Sequence, residues 1–198
     1  MKKIICISRQ FASGGHEEGK RLAKRCGIPF YDSEIITESV KKAGISEEVI
    51  RNHDEASSNS LIYSIAMGHY MKLGGRYVEG PGDQVFRVQS EVIRDLAAAG
   101  SCVIVGRCAG EILLDEPGCY RIFIHADDAF RAKRAVERYG CQGDTVGELL
   151  KQRDRERRAY HTRYTNIPWG ETSSYDLSIN TSRVEIGKAV ETILAFIE

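Results

Sequence analysis

The chain lacks most features that would set it apart from ordinary globular proteins. It has four prolines and one tryptophan in 198 residues, and its 42% hydrophobic and 28% charged content excludes collagen-like and disordered classes. No internal repeat or low-complexity segment is present. No apolar run approaches the ~18 residues a membrane span requires. After Met1-Lys2-Lys3 the apolar run Ile4-Ile5-Cys6-Ile7 stops at Ser8, short of the roughly 7–15 residues of a secretory core, so it reads as a buried first strand. Net charge is absent as well: 28 Lys and Arg balance 28 Asp and Glu. Global charge therefore points to neither duplex nucleic acid nor an anionic membrane as a partner. Six cysteines are present, but without a CxxC pair. Cys6, Cys102 and Cys119 lie inside apolar runs, as small buried hydrophobes do, and a reduced cytoplasmic protein is expected.

The length suits one domain with a sizeable core. Three runs, at 4–7, 102–105 and 120–124, read as strands buried on both faces. A fourth candidate at 175–180 precedes a terminal helix carrying Val184, Ile186, Val190, Ile193, Leu194 and Ile197. Helical patterns cover about 15–26, 33–43, 60–72, 82–99, 127–138 and 144–164. This alternation predicts an α/β domain of three layers around a parallel sheet. Ser-rich 54–60 and Gly-rich 74–82 flank an apolar helical segment, which reads either as a mobile flap or as a surface helix with loose loops.

Strand one runs into Ser8-Arg9-Gln10-Phe11-Ala12-Ser13-Gly14-Gly15-His16 and then a helix. Such a small-residue turn can aim several backbone N–H groups at an anion; the bland reading is a tight turn and nothing more. The lysine-bearing phosphate loop GxxxxGK[ST] is not matched. With Gly14 at its second glycine, Arg9 stands at the first, Gly15 at the lysine and His16 at the hydroxyl residue. Lys20 lies more than a helical turn further on, so Arg9 is the nearest cation. A dinucleotide reading, with Asp32 as the ribose acid, would need glycines at Ala12 and Glu17. His53-Asp54 resembles a metal-site dipeptide without a matching second pair, and Asp127 is expected to cap the helix after strand 120–124.

Three segments together, Ser13-Gly14-Gly15, Phe30-Tyr31-Asp32 and Val103-Ile104-Val105-Gly106-Arg107-Cys108-Ala109, closely resemble the cytidylate kinase-like family. This is a bacterial branch of the P-loop nucleoside monophosphate kinases. The resemblance continues through Arg121–Ala126, Asp154–Tyr160 and Trp169-Gly170 to Leu177, nearly the whole chain. Cytidylate kinases proper keep the lysine that this turn lacks.

The resemblance implies a single P-loop kinase domain over 1–198, with a parallel sheet of about five strands. A helical acceptor-side region would span about 33–100, with the 54–82 flap inside it, and a helical lid about 144–170. It implies ATP and Mg²⁺ as cofactors and phosphoryl transfer to a nucleoside monophosphate, CMP or dCMP first. The alternatives are a nucleotide-binding module with little or no kinase activity, or a kinase for another small substrate. Ala12, Ser13, Gly14, Gly15 and His16 would hold the ATP phosphates. Arg107 would meet the acceptor monophosphate, with Cys108 where cytidylate kinases carry an aspartate. Asp32, Arg87 and Gln89 would line the acceptor pocket. Lys151–Arg163 carries six basic and two acidic residues, a local charge of +4, and matches the lid. Arg153 and Arg157 can share a helix face there with Tyr160 and Tyr164, and these arginines, with Arg9 and Arg107, are the candidate catalytic cations.

Overall fold

A computed structural model describes residues 2–42, 44–52 and 81–198. The apolar segment 60–72, most of the 54–82 flap and His53-Asp54 lie outside the described residues.

The sheet is built from β1 (Ile4–Arg9), β2 (Phe30–Tyr31), β3 (Cys102–Val105), β4 (Cys119–His125) and β5 (Leu177–Asn180). All pairings are parallel and the spatial order is β2-β3-β1-β4-β5. β1 is central, with Ile4 opposite both Cys102 and Cys119. Successive side chains of a strand point to opposite faces. Ile5 and Ile7 therefore pack into one core with α1 (Gly15–Cys26) and the terminal helix, while Ile4 and Cys6 enter the other. Between α1 and β3 come α2 (Ser33–Lys42), α3 (Glu47–Asn52) and α4 (Pro81–Ala98). Ile36 of α2 and Ile93 and Ala97 of α4 form that second core. Covering on both sides is why Ile4–Ile7 and Cys102–Val105 are continuously apolar rather than alternating. Each fully buried isoleucine contributes roughly 1.5–3 kcal/mol.

After β3 come a short α5 (Ala109–Ile112), then β4, α6 (Asp128–Tyr139), α7 (Val146–Tyr164), β5 and α8 (Ile186–Ile197). Among the described residues the expected strands and helices recur within a few residues; α3 and α5 were not anticipated, being too short to show a helical period. β5 begins at Leu177 because the two residues before it are drawn aside. The Tyr175 ring packs 4.8 Å from Phe123, and the Asp176 carboxylate accepts hydrogen bonds from the Arg121 backbone and guanidinium. The sheet's parallel sense puts the ends of β1, β3 and β4 on one edge, where ligands of open α/β sheets bind.

Candidate active site

Two turns leave that edge, one after β1 and one after β3. Among the described residues, the non-glycine residues with positive φ are Ala12, Arg107 and Cys108, all in these turns. Each such residue costs roughly 1–2 kcal/mol, a strain that surrounding contacts must hold in place.

In the first turn Ala12 has φ +59° and Gly14 φ +97°. The turn is pinned to the far side of the sheet. Ser13 is fully buried, its hydroxyl facing the carbonyls of Gln10 at 2.9 Å and Ile124 at 3.1 Å. Thr181 donates to the Ser13 carbonyl at 2.7 Å, and the Gln10 side chain accepts from the Ala126 amide. Gly14 is the N-cap of α1 and supplies no side-chain cap, which leaves first-turn amides available to an anion.

Arg9 and Gly15 explain each other. A Cβ built on Gly15 would fall 2.7 Å from Arg9 Cβ and 3.2 Å from both Arg9 Cγ and Ile124 Cβ. The arginine stem occupies the space a side chain at Gly15 would need. The turn thus carries a guanidinium from the strand end, whereas a lysine-bearing loop carries its ammonium on the helix. The Arg9 guanidinium lies against Gly106, where a Cβ would collide with it.

In the second turn Gly106, Arg107 and Cys108 all have positive φ, +85°, +55° and +54°. Arg107 is buried; Nη2 donates to Thr37 Oγ1 at 3.2 Å, and the guanidinium carbon lies 6.0 Å from the Tyr160 ring centroid. Gln89 is buried beside it, its amide nitrogen 2.9 Å from Tyr160 Oη. Burial raises the Tyr160 phenol well above its usual range, so it stays a neutral hydrogen-bonding group.

Helix α7 bridges the two turns. Arg157 donates from Nη1 to the Arg9 carbonyl at 3.0 Å and lies over Phe11. Asp154 accepts from the Phe11 amide at 2.8 Å and pairs with buried Arg131 of α6. Arg9, Arg107 and Arg157 then line one cleft with Ser8, Gly106, Cys108, Tyr160, His161 and Trp169.

The other anticipated residues sit around this centre. His16 Nε2 is 3.0 Å from Asp32 Oδ2, while Asp32 Oδ1 accepts from the Glu34 and Ile35 amides and so caps α2. Burial opposes the Asp32 charge, but these hydrogen bonds outweigh it and hold the carboxyl below its usual range. Arg87 is half-exposed and pairs with Glu91 one turn on. Arg153, 44% exposed on its side chain, pairs with Glu156. Neither is among the cleft-lining residues. Phe86 stacks on Tyr164 with centroids 4.1 Å apart. Asp127 occupies the N-cap of α6 without a side-chain cap, correcting the expectation; its carboxylate faces Asn180 and Arg183 instead.

Sequence reasoning missed Asp154 and Arg131, which tie α7 to the first turn. It also missed Arg134, whose Nη2 pairs with Glu17 at 3.0 Å beside Gly14. The only available signal was the i, i+3 spacing of the two arginines on α6.

A profile of the cytidylate kinase-like family matches residues 4–183. No curated protein matches the chain. Among solved structures, an uncharacterized protein from Eubacterium ventriosum ATCC 27560 is 30% identical, with a TM-score of 0.76 over 99% of this chain and 98% of that one. A shikimate kinase from Bacteroides thetaiotaomicron (13% identity, TM-score 0.57, 100% and 99% covered) has a similar fold. So does a gluconokinase from Sinorhizobium meliloti 1021 (16%, 0.56, 99% and 91%). The sheet order, the glycine turn and the match along most of its length agree: the chain belongs to the cytidylate kinase-like family.

Proposed function

We propose that this protein transfers the terminal phosphoryl group of ATP to a nucleoside monophosphate, with CMP or dCMP the first acceptors to test. The observation that carries the reading is the convergence of Arg9, Arg107 and Arg157 on one cleft beside an uncapped helix start. Phosphoryl transfer needs charge neutralisation, in-line positioning and exclusion of water rather than covalent help from the protein.

In this reading the amides of Ala12–His16 hold the donor phosphates and Arg9 replaces the absent lysine. Arg157, on α7 as the lid, neutralises charge on the moving group, with Arg153 at the rim. Arg107 binds the acceptor phosphate, while Gln89, Asp32 and Arg87 border the acceptor pocket. The described residues do not fit a protein-held Mg²⁺. The Ser13 hydroxyl is turned into the sheet and His16, at the hydroxyl position, faces Asp32. Magnesium therefore belongs to the nucleotide, held by phosphate oxygens and water. The cytoplasm is the proposed compartment, in keeping with six cysteines outside any disulfide.

Gly15 at the lysine position supports a second reading, a nucleotide-binding module with little or no turnover. The test is a panel of nucleoside monophosphates and small hydroxyl acceptors incubated with ATP and Mg²⁺ and read for ADP, beside ATP binding by calorimetry. Turnover with CMP or dCMP supports the proposal. Binding without turnover on any acceptor supports the module, and turnover only with a non-nucleotide acceptor reassigns the substrate.

A further inference from the structure

Beside the cleft lies a second constellation that phosphoryl transfer does not use. Cys108 ends the strained turn after β3, Glu111 follows three residues later on α5, and His161 reaches across from α7. One ligand atom from each, Sγ, a carboxylate oxygen and an imidazole nitrogen, lie within 4.8 Å of one another. We propose that these three residues bind one borderline-soft divalent cation of the zinc class.

The first argument is unpaired polarity. The Glu111 and His161 side chains are each only 4% exposed, yet both Glu111 oxygens and His161 Nε2 lack a hydrogen-bond partner. A buried carboxylate left in this condition is costly. Facing Glu111 is His161 Nε2 itself, 3.2 Å from Oε1.

The second argument is the state of that imidazole. His161 Nδ1 is 3.0 Å from Thr165 Oγ1, and the same hydroxyl lies 3.0 Å from the His161 carbonyl. A hydroxyl has one proton; given to the carbonyl, it leaves Oγ1 to accept from Nδ1–H. In the neutral imidazole Nε2 then presents a lone pair to a carboxylate, two acceptors facing each other across a gap that a cation would fill. An outer hydrogen bond fixing the tautomer of a ligating histidine is the usual arrangement at metal sites.

The third argument is size and chemistry. Zinc bonds of ~2.0 Å to nitrogen and oxygen make a tetrahedral edge of ~3.3 Å, and a ~2.3 Å bond to sulfur makes edges of ~3.5 Å. The Nε2–Oε1 separation already has that length, and the remaining edges, within 4.8 Å, need to close by about 1.3 Å at most. A sulfur, nitrogen and oxygen set favours zinc and disfavours magnesium, so the site is distinct from any magnesium carried by a nucleotide. Cys108 and His161 also line the cleft, so a water or ligand oxygen from the cleft takes the fourth position. None of this depends on the kinase reading.

The test strips the full chain with a chelator and titrates it with cobalt(II), then zinc(II). One equivalent of cobalt should bind with the intense visible bands of a tetrahedral ion and a thiolate-to-cobalt charge-transfer band, both lost as zinc displaces it. Cys108→Ser should abolish the charge-transfer band. His161→Gln and Glu111→Gln should each weaken zinc, measured against a chromophoric chelator, by at least ~10-fold, and Thr165→Val by ~10–100-fold. Circular dichroism checks that each variant folds, and the wild-type titration needs no variant. Absence of stoichiometric uptake by the wild type overturns the proposal. So does a charge-transfer band that survives in folded Cys108→Ser, or an NMR titration finding His161 charged against Glu111 while no metal binds.

Discussion

The turns after β1 and β3 are built alike and used differently. Each leaves a buried parallel strand, passes through left-handed residues and enters a helix with a buried glutamate in its opening turns, Glu18 in one and Glu111 in the other. In the first turn side chains point away from the ligand edge or are missing, and the backbone amides are left to act. In the second, Arg107 and Cys108 put charge and sulfur into the cleft. The glutamates diverge too. Burial drives the Glu18 carboxyl up to about 8, whereas Glu111 faces an imidazole. Similar backbones thus yield an amide cradle in one place and a side-chain cluster in the other.

The largest expected effect tests Arg157, on the helix that bridges both turns. Arg157→Ala should lower turnover by about 10²–10³-fold, or ~3–4 kcal/mol of transition-state stabilisation. ATP affinity should change far less, because under the proposed function the amide turn carries that binding. Arg157→Lys should recover little, an ammonium being unable to reproduce the forked contact. Turnover within about twofold of wild type in the alanine variant removes Arg157 from the catalytic assignment.

Glu18 comes next, through pH. Its folded carboxyl titrates near 8 against an ordinary 4.5 because burial penalises the charge, outweighing the attraction of Arg134. The native state therefore holds a proton that the unfolded chain has released between these values. Stability from this group is full below about 4.5 and declines as pH rises toward 8. Glu18→Gln should flatten that decline and stabilise the protein at pH 8 by on the order of 3 kcal/mol, read from urea midpoints. An unchanged pH slope shows that Glu18 is charged in the fold.

The exchange of Arg9 and Gly15 gives the third test. Gly15→Lys alone should cost about 1–3 kcal/mol by overpacking the Arg9 stem. Adding Arg9→Gly should restore most of it, together with ATP binding. A single variant as stable as wild type would show that the two positions are independent. Smallest is Gly14→Ala, which at φ +97° should cost ~1 kcal/mol in thermal denaturation.

What was legible in the sequence follows from how local each signal is. β1, β3 and β4 are covered by helices on both faces, so Ile4–Ile7, Cys102–Val105 and Ile122–Ile124 are apolar without a break and stood out. Arg9, Arg107 and Arg157 could be found because each stands beside a small-residue turn or in a charged helix. Arg153 could not be separated from Arg157, since four residues put both on one face. What parts them is the neighbour: Glu156 for one and the Arg9 carbonyl, 148 residues away in sequence, for the other. The reason for Gly15 was likewise hidden, because a void is filled in three dimensions by an arginine stem that the loop pattern does not anticipate. Asp127 failed for a related reason: the long-range pull of Asn180 and Arg183 overrode a local cap.

The central place of β1 also has a consequence for how the chain is made. Both its neighbours, β3 and β4, are synthesised roughly a hundred residues later. At ~5–20 residues per second, Ile4–Ile7 waits on the order of ten seconds without a partner strand. A bare run of β-branched residues is prone to pairing with other nascent copies. Lys2 and Lys3 stand on one side of it and Arg9 on the other, the charged flanks that keep such a segment apart from its like. Arg9 thus guards the strand while the protein is being born and lines the cleft once it has folded.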